Sequence, residues 1–352
     1  MGNAVRTVLR GGSTGIALVV TAVISLSACS SGSHSPASSP SAKATTSTTA
    51  PGGTSSGGSS GSVDTAVVAN TGITVTGAFN TTPTVVFPAG GPPKRLEEQT
   101  VVAGQGATVT SGDTLVLNYL GEIWPVATGA KPKVFDSSYS RHAPDGFVIG
   151  TGAVIPGFDK TLVGQKLGSR LVLSIPPADG YGPSGNSQAG IAGTDTLVFV
   201  VDLLADYKPN ASAPGVAAAP LPATGWPHIT NPPGQPPQIT GVAGVQAPTA
   251  PTSKLLLDGL GANIDPTKTL VLQLVQTDIA TGKQTQSTWG HQPQLISAQT
   301  VLSVATALNG QKVGARAVVL LPASPAQPAT ATAPAAPAAP PEVLILDVVG
   351  QF

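Results

Sequence analysis

Apolar side chains in the middle of this chain gather into strand-length runs. Residues 114–120, 169–175 and 196–204 are rich in Leu, Val, Ile and aromatics and are bounded by Gly, Pro and Asp, which predicts three β-strands. Between the first two, the segment Ile155-Pro-Gly-Phe-Asp-Lys-Thr-Leu-Val-Gly164 predicts one short helix. Pro156 suits its first turn, Phe158 and Leu162 fall one turn apart on one face, and Gly164 ends it. One short helix against an antiparallel sheet is an α+β arrangement.

The same pattern recurs further along. Thr114-Leu-Val-Leu-Asn-Tyr119 matches Thr269-Leu-Val-Leu-Gln-Leu274, and Leu162-Val-Gly-Gln-Lys-Leu-Gly-Ser-Arg170 matches Leu308-Asn-Gly-Gln-Lys-Val-Gly-Ala-Arg316. Leu197-Val-Phe-Val-Val-Asp202 aligns with Val343-Leu-Ile-Leu-Asp-Val348. Three matched segments in one order read as a tandem duplication. Residues 63–208 are expected to form the first domain, 209–220 (PNASAPGVAAAP) a linker, and 221–352 the second domain.

The N-terminal region has a different pattern. Arg6 and Arg10 precede an apolar run, residues 16–28, interrupted by Thr21, Ser25 and Ser27. That run is shorter than the roughly 20 residues needed to span a bilayer, so residues 1–28 read as a cleaved export signal. It closes on Leu26-Ser-Ala-Cys29, and Cys29 is the only cysteine in the chain. The run resembles the bacterial lipobox, which implies lipidation of Cys29 and a lipid anchor at the outer face of a cell membrane. Residues 29–62 are nearly all Ser, Thr, Gly, Pro and Ala and bury nothing, so they read as a disordered tether with ends roughly 30 Å apart.

Composition narrows the function classes. The chain has 352 residues, 17 basic and 17 acidic, and no basic stripe, which argues against nucleic-acid binding. The four His are scattered and none lies at ligand spacing from another His or from Cys29, so neither a metal nor another cofactor is expected. The chain is expected to act as a monomer.

The first copy carries Tyr119, Phe135, Phe147, Phe158, Tyr181 and Phe199 on its short elements, with Asp136 beside Phe135. The stretches Gly112-Asp-Thr-Leu-Val-Leu-Asn-Tyr-Leu-Gly121, Val134-Phe-Asp-Ser-Ser138, Phe147-Val-Ile-Gly150, Val154-Ile-Pro-Gly-Phe158, Ile175-Pro-Pro-Ala-Asp-Gly-Tyr-Gly182 and Asp195-Thr-Leu-Val-Phe199 occur in order. This ordered set resembles the FKBP-type peptidyl-prolyl cis-trans isomerases. The resemblance implies a twisted antiparallel sheet curled around one short helix, with a shallow apolar pocket between them. It further implies that proline-containing polypeptides are the clients and that no covalent intermediate forms.

By the same resemblance, Tyr119, Phe135 and Phe199 would wall the pocket, with Phe147 a further side. Val154 and Ile155 would flank the proline ring, and the Ile155 N–H would donate to a substrate carbonyl. Tyr181 would donate a second hydrogen bond, Asp136 would orient the twisted peptide at the rim, and Ile191 would close the pocket from above. Phe158 stands at the floor, where most of the family has Trp. An extended loop (residues 123–132) and Asp145-Gly146 depart from the family as well. Taken singly, each aromatic is equally a core residue, and Asp136 equally caps a turn. The same cleft also suits a non-catalytic peptide-binding module or a holdase chaperone, and a surface structural protein is a third reading.

The second copy is expected to keep the scaffold without the site. Leu274 falls at Tyr119, Val304 at Phe158 and Ile345 at Phe199, and a polar Gln286-Ser-Thr-Trp289 stretch replaces Phe135-Asp136. An Ala/Pro/Thr run replaces the loop that carries Tyr181 and Ile191.

Overall fold

The computed structural model describes residues 68–69, 71–125, 131–326 and 338–352. The export signal, the lipobox with Cys29 and the tether lie outside the described residues.

Two seven-stranded sheets dominate the chain. The first contains β1 (Val68–Ala69), β4 (Glu97–Val102), β5 (Thr114–Ile123), β6 (Lys133–Ser137), β7 (Asp145–Val148), β8 (Arg170–Ile175) and β9 (Leu197–Tyr207). Its strands run in the order β1-β4-β8-β9-β5-β6, with β7 also paired to β5. Only the β1–β4 pair within it is parallel. The hairpin β2 (Thr74–Thr76) and β3 (Thr84–Val86) lies apart from that path. Two short helices belong here, α1 (Ser138–Arg141) and α2 (Pro156–Leu162).

The second sheet repeats the design. It contains β10 (Val216–Ala217), β13 (Thr252–Asp258), β14 (Thr269–Asp278), β15 (Gln284–Ser287), β16 (Gln294–Ser297), β17 (Arg316–Leu321) and β18 (Glu342–Gln351). Their order is β10-β13-β17-β18-β14-β15, with β16 on β14. A second separate hairpin joins β11 (His228–Thr230) and β12 (Gln238–Gly241), and α3 (Ala298–Val304) follows β16. The segment expected as a linker contributes β10, and Ala213 within it is fully buried, so this stretch packs onto the second sheet.

Alternation along each strand divides residues between two faces. In the first sheet, Leu115, Leu117, Tyr119, Leu171, Leu173, Phe199 and Val201 turn toward α2 and pack on Phe158 and Leu162. The opposite, outer face presents Val172, Val198 and Val200, which pack with Ile73, Trp124 and hairpin residues Val75 and Val85. The second sheet is built alike: Val318, Leu320, Val343 and Ile345 face its own hairpin, with Ile229 and Ile239 packed against them. Each sheet is thus sealed on one side by a helix and on the other by a β-hairpin.

One polar interaction recurs on both outer faces. Arg170 and Asp202 face each other across β8 and β9, both fully buried, with Nη2–Oδ2 2.6 Å and Nε–Oδ1 2.6 Å. The hairpin satisfies the remaining donors: Arg170 Nη1 donates to Gly77 O at 2.8 Å and Nη2 to Thr81 O at 2.7 Å. Asn80 N and the Tyr139 hydroxyl donate to Asp202 Oδ2, each at 2.6 Å. In the second sheet Arg316 pairs with Asp347, again fully buried, and donates to Asn231 Oδ1, Gln235 O and Ser212 Oγ.

That equivalence corrects the alignment of the last strand. Since Arg170 pairs with Asp202 and Arg316 with Asp347, Asp202 corresponds to Asp347, and Phe199 corresponds to Leu344 rather than Ile345. A one-residue slip exchanges the faces of a strand. Leu344 lies in the core under α3, whereas Ile345 faces the hairpin.

Two predictions follow from burial. An Arg170→Ala change strands a buried carboxylate, and the free energy of unfolding measured by urea titration falls by about 3–5 kcal/mol. Glu122 is buried on the outer face beside Val198, and its Oε2 has no hydrogen-bond partner among the described residues. Burial raises its carboxyl above the usual range. The folded state therefore loses stability as pH rises from the ordinary carboxylate range through this raised value. Glu122→Gln melts higher than the parent at neutral pH, and the gap closes below about pH 4.

Candidate active site

The fold brings five rings and Asp136 near one another, and local structure explains how. Strand β6 carries a bulge: Asp136 pairs with Gly121 and Val134 with Glu122, leaving Phe135 as the extra residue. A bulge bends the strand and re-aims its side chains. Phe135 thereby reaches Phe199, with centroids 5.3 Å apart and planes nearly perpendicular. Gly121 makes room for both rings, because a Cβ there would lie 2.7 Å from Phe135 Cζ and 3.0 Å from Phe199 Cε1.

Helix α2 supplies the floor. The residue before a proline is held extended, and Ile155 has φ −61° and ψ 143°. Asp159, in the first turn, accepts from Gly150 N and Gly152 N, each at 2.6 Å. These bonds fasten the loop that leads through Val154 and Ile155 into the helix. The Ile155 N–H, at the N-cap, donates to no acceptor among the described residues, while the Ile155 carbonyl accepts from Phe158 N at 3.0 Å.

Five rings form a continuous chain of contacts. Phe158 meets Phe199 at 4.8 Å and Phe147 at 6.4 Å, and Tyr119 meets Phe199 at 6.0 Å and Phe147 at 6.2 Å. With Phe135 this gathers every expected aromatic except Tyr181. Tyr119, Phe158, Phe199 and Ile191 are buried in one apolar cluster, and Phe135, Phe147, Val154 and Ile155, partly buried, pack against it. Tyr181 stands outside the cluster, 38% exposed, and its hydroxyl has no partner among the described residues.

The loop over the cluster is braced at two points. Asn186 and Ile191 exchange backbone hydrogen bonds of 2.8 and 2.9 Å, which turns Ile191 down into the apolar cluster. Lys133 Nζ reaches Gly190 O at 2.8 Å from β6.

The rim is charged. The Tyr119 hydroxyl donates to Asp136 Oδ2 at 2.6 Å, and Arg141 binds both Asp136 and Asp145. Arg141 Nη2 also donates to the Tyr119 oxygen at 3.1 Å, and its guanidinium lies 5.6 Å from that ring centroid. Burial, and then the bond to Asp136, push the Tyr119 phenol far above its ordinary value, so it stays a proton donor at any working pH. Sequence reasoning missed Arg141 and Gly121. The signal for Arg141 is its four-residue spacing from Asp145.

A polar cleft of about 530 Å³ opens on the outer side of the sheet, lined in part by Asn80, Asn118, Ser138 and Tyr139. Its polar groups bond one another, Asn118 Nδ2 to Asn80 Oδ1 at 2.8 Å and Ser138 Oγ to Asn118 Oδ1 at 2.7 Å. It lies on the far face from the rings.

A family model described as FKBP-type peptidyl-prolyl cis-trans isomerase matches residues 105–204, within the part of the chain that holds the rings. An FK506-binding protein of Streptomyces anulatus is 38% identical over 123 residues, covering 35% of this chain and 95% of that relative. The chain belongs to the FKBP-type peptidyl-prolyl cis-trans isomerase family. FK506-binding protein 2 of Aspergillus fumigatus is 38% identical over 107 residues, 30% of this chain and 75% of the relative. The isomerase FkpA of Escherichia coli strain K12 is 38% identical over 131 residues, and the chain spans only 45% of its length.

Within this FKBP-type frame the second sheet is informative by contrast. Strand pairing puts Leu274 at Tyr119, Leu344 at Phe199, Ile296 at Phe147, and Thr285-Gln286 at Phe135-Asp136. The supporting bonds persist. Ser138 Oγ accepts from Tyr119 N at 2.8 Å, and Thr288 Oγ1 accepts from Leu274 N at 2.8 Å. Val304 is buried beneath the second sheet, among aliphatic side chains alone. The run expected in place of the Tyr181 loop lies mostly at 327–337, outside the described residues.

Proposed function

We propose that the first FKBP-type unit is a working prolyl isomerase whose ring cluster receives the proline of a polypeptide client. Rotation about an imide bond meets a barrier of about 18–20 kcal/mol because the twisted form loses C–N conjugation. X-Pro bonds alone carry an appreciable cis population, which makes them the natural substrate. An apolar cup excludes water and disfavours the polar, conjugated ground state. Donors set for the twisted geometry then stabilise it selectively. The Ile155 N–H and the Tyr181 hydroxyl serve as those donors, and Asp136 orients the twisted peptide at the rim. A thousandfold acceleration requires only about 4 kcal/mol, so neither a nucleophile nor a general base is needed.

The observation that carries this reading is the continuous ring set, with neighbouring centroids 4.8 to 6.4 Å apart, beside two unused donors. The remaining parts of the reading rest on the sequence. Cys29 is lipidated, the chain is held at the outer membrane face, and its clients are exported proteins. The second unit is a degenerate FKBP-like domain that lacks the cup. A second reading, a peptide-binding module or holdase on the same cleft, draws on Phe158, whose smaller ring leaves the floor without an indole donor.

Two measurements check these statements. In a protease-coupled Ala-X-Pro-Phe assay on the full chain, Phe135→Ala lowers kcat/KM by about tenfold or more, and Tyr181→Phe by several-fold. Each tenfold loss corresponds to about 1.4 kcal/mol of transition-state binding. Background activity in the unmutated chain favours the binding module instead. Mass spectrometry of the membrane-extracted protein finds Cys29 as the first residue, bearing a diacylglyceryl group, and an unmodified cysteine sinks the anchor.

A further inference from the structure

The two sheets touch through equivalent positions. Pairing to β5 and β14 makes Gly146 the counterpart of Leu295, opposite Val116 and Val271 respectively. It likewise makes Ala205 the counterpart of Gly350, and Tyr207, opposite Thr114, the counterpart of Phe352, opposite Thr269. Gly146, Tyr207, Leu295, Gly350 and Phe352 meet across the boundary. A Cβ on Gly146 would overlap Leu295 Cδ1, with Phe352 Cζ 3.5 Å away, and a Cβ on Gly350 would overlap the Tyr207 ring. Pro209 O accepts from Gln273 Nε2 at 2.7 Å. Val116 and Val271, on the outer faces beside these contacts, are fully buried. Gly146 meeting its own counterpart Leu295 is what an isologous, two-fold contact would give, here enclosed within one chain.

This contact bears on the site. Strand β7 has four residues and, among the described residues, pairs with β5 alone. It carries Phe147, one wall of the ring cluster, and Asp145, which binds Arg141 at the rim. On its outer side Gly146 offers no side chain, and Leu295 with Phe352 fills that space. Glycine is what lets the second sheet come this close.

We propose that the second unit is a brace, with Leu295 as a positioning residue that holds β7, and through it Phe147 and Asp145, in the geometry of the isomerase site. This rests on the isomerase reading above. It gives a unit without the ring cluster a task that needs no pocket of its own.

The test uses the full chain carrying Leu295→Ala, with Leu295→Met as the conservative variant. Two readouts are taken: amide hydrogen exchange resolved by segment, and steady-state kinetics on the proline tetrapeptide. Leu295→Ala should speed exchange at residues 145–148 by tenfold or more while the amides of β8 and β9 stay as slow as in the parent. It should also raise KM three- to tenfold with kcat nearly unchanged, and Leu295→Met should restore both. Unchanged exchange at 145–148 overturns the proposal. So does faster exchange spread evenly over the chain in both variants, or locally faster exchange with unaltered KM. If the parent chain itself shows no isomerase activity, the isomerase reading falls, and the exchange measurement alone decides whether Leu295 holds β7.

Discussion

A guanidinium and a carboxylate sealed between a sheet and a hairpin organise this protein twice over. Arg170 with Asp202, and Arg316 with Asp347, are wholly removed from water. Such a pair is tolerable only when its leftover donors and lone pairs are satisfied. The partners come from the hairpin tips: Gly77, Asn80 and Thr81 in one case, Asn231, Pro232 and Gln235 in the other. Each pair therefore fixes the register of two central strands and the seat of the hairpin that covers them. With the outer face closed, the inner face is free to curl around a helix and present its rings.

Much of this was legible in the sequence, and the failures have physical causes. Strands β5, β8 and β9 and helix α2 announce themselves because a strand buried on both faces reads as an unbroken apolar run, and because Pro156 marks a helix start. The ring positions were legible through their order along the chain. The hairpins were not: β2, β3, β11 and β12 are three or four residues long, each with at least one Thr, and gain their stability from the sheet beneath them. The slip at Val343–Val348 arose because both faces of β18 are buried, so hydropathy carries no information on which side is which. Only the buried aspartate settles it. Arg141 escaped notice because its role depends on a one-turn helix that brings it back over Tyr119.

Comparison of the two sheets separates what folds the protein from what equips it. Both keep the ion pair, the β-bulge ahead of the short helix or turn, and the hydroxyl that accepts from the β5 or β14 backbone. The second exchanges Tyr119, Phe147 and Phe199 for Leu274, Ile296 and Leu344. Aliphatic side chains fill such a core as well as rings do, so stability places no demand on aromatics there. The rings of the first sheet are consequently a surplus over folding needs, and five of them form one continuous chain of contacts.

The contact through Gly146 and Gly350 carries one more consequence. The seam suggested by a Pro- and Ala-rich stretch falls after Lys208, yet that stretch lies against the second sheet. Cutting there would lay bare Val116, Tyr207 and the outer edge of β7. An excised front half would therefore expose to water a margin that the whole chain keeps covered, next to Phe147 and the ring cluster.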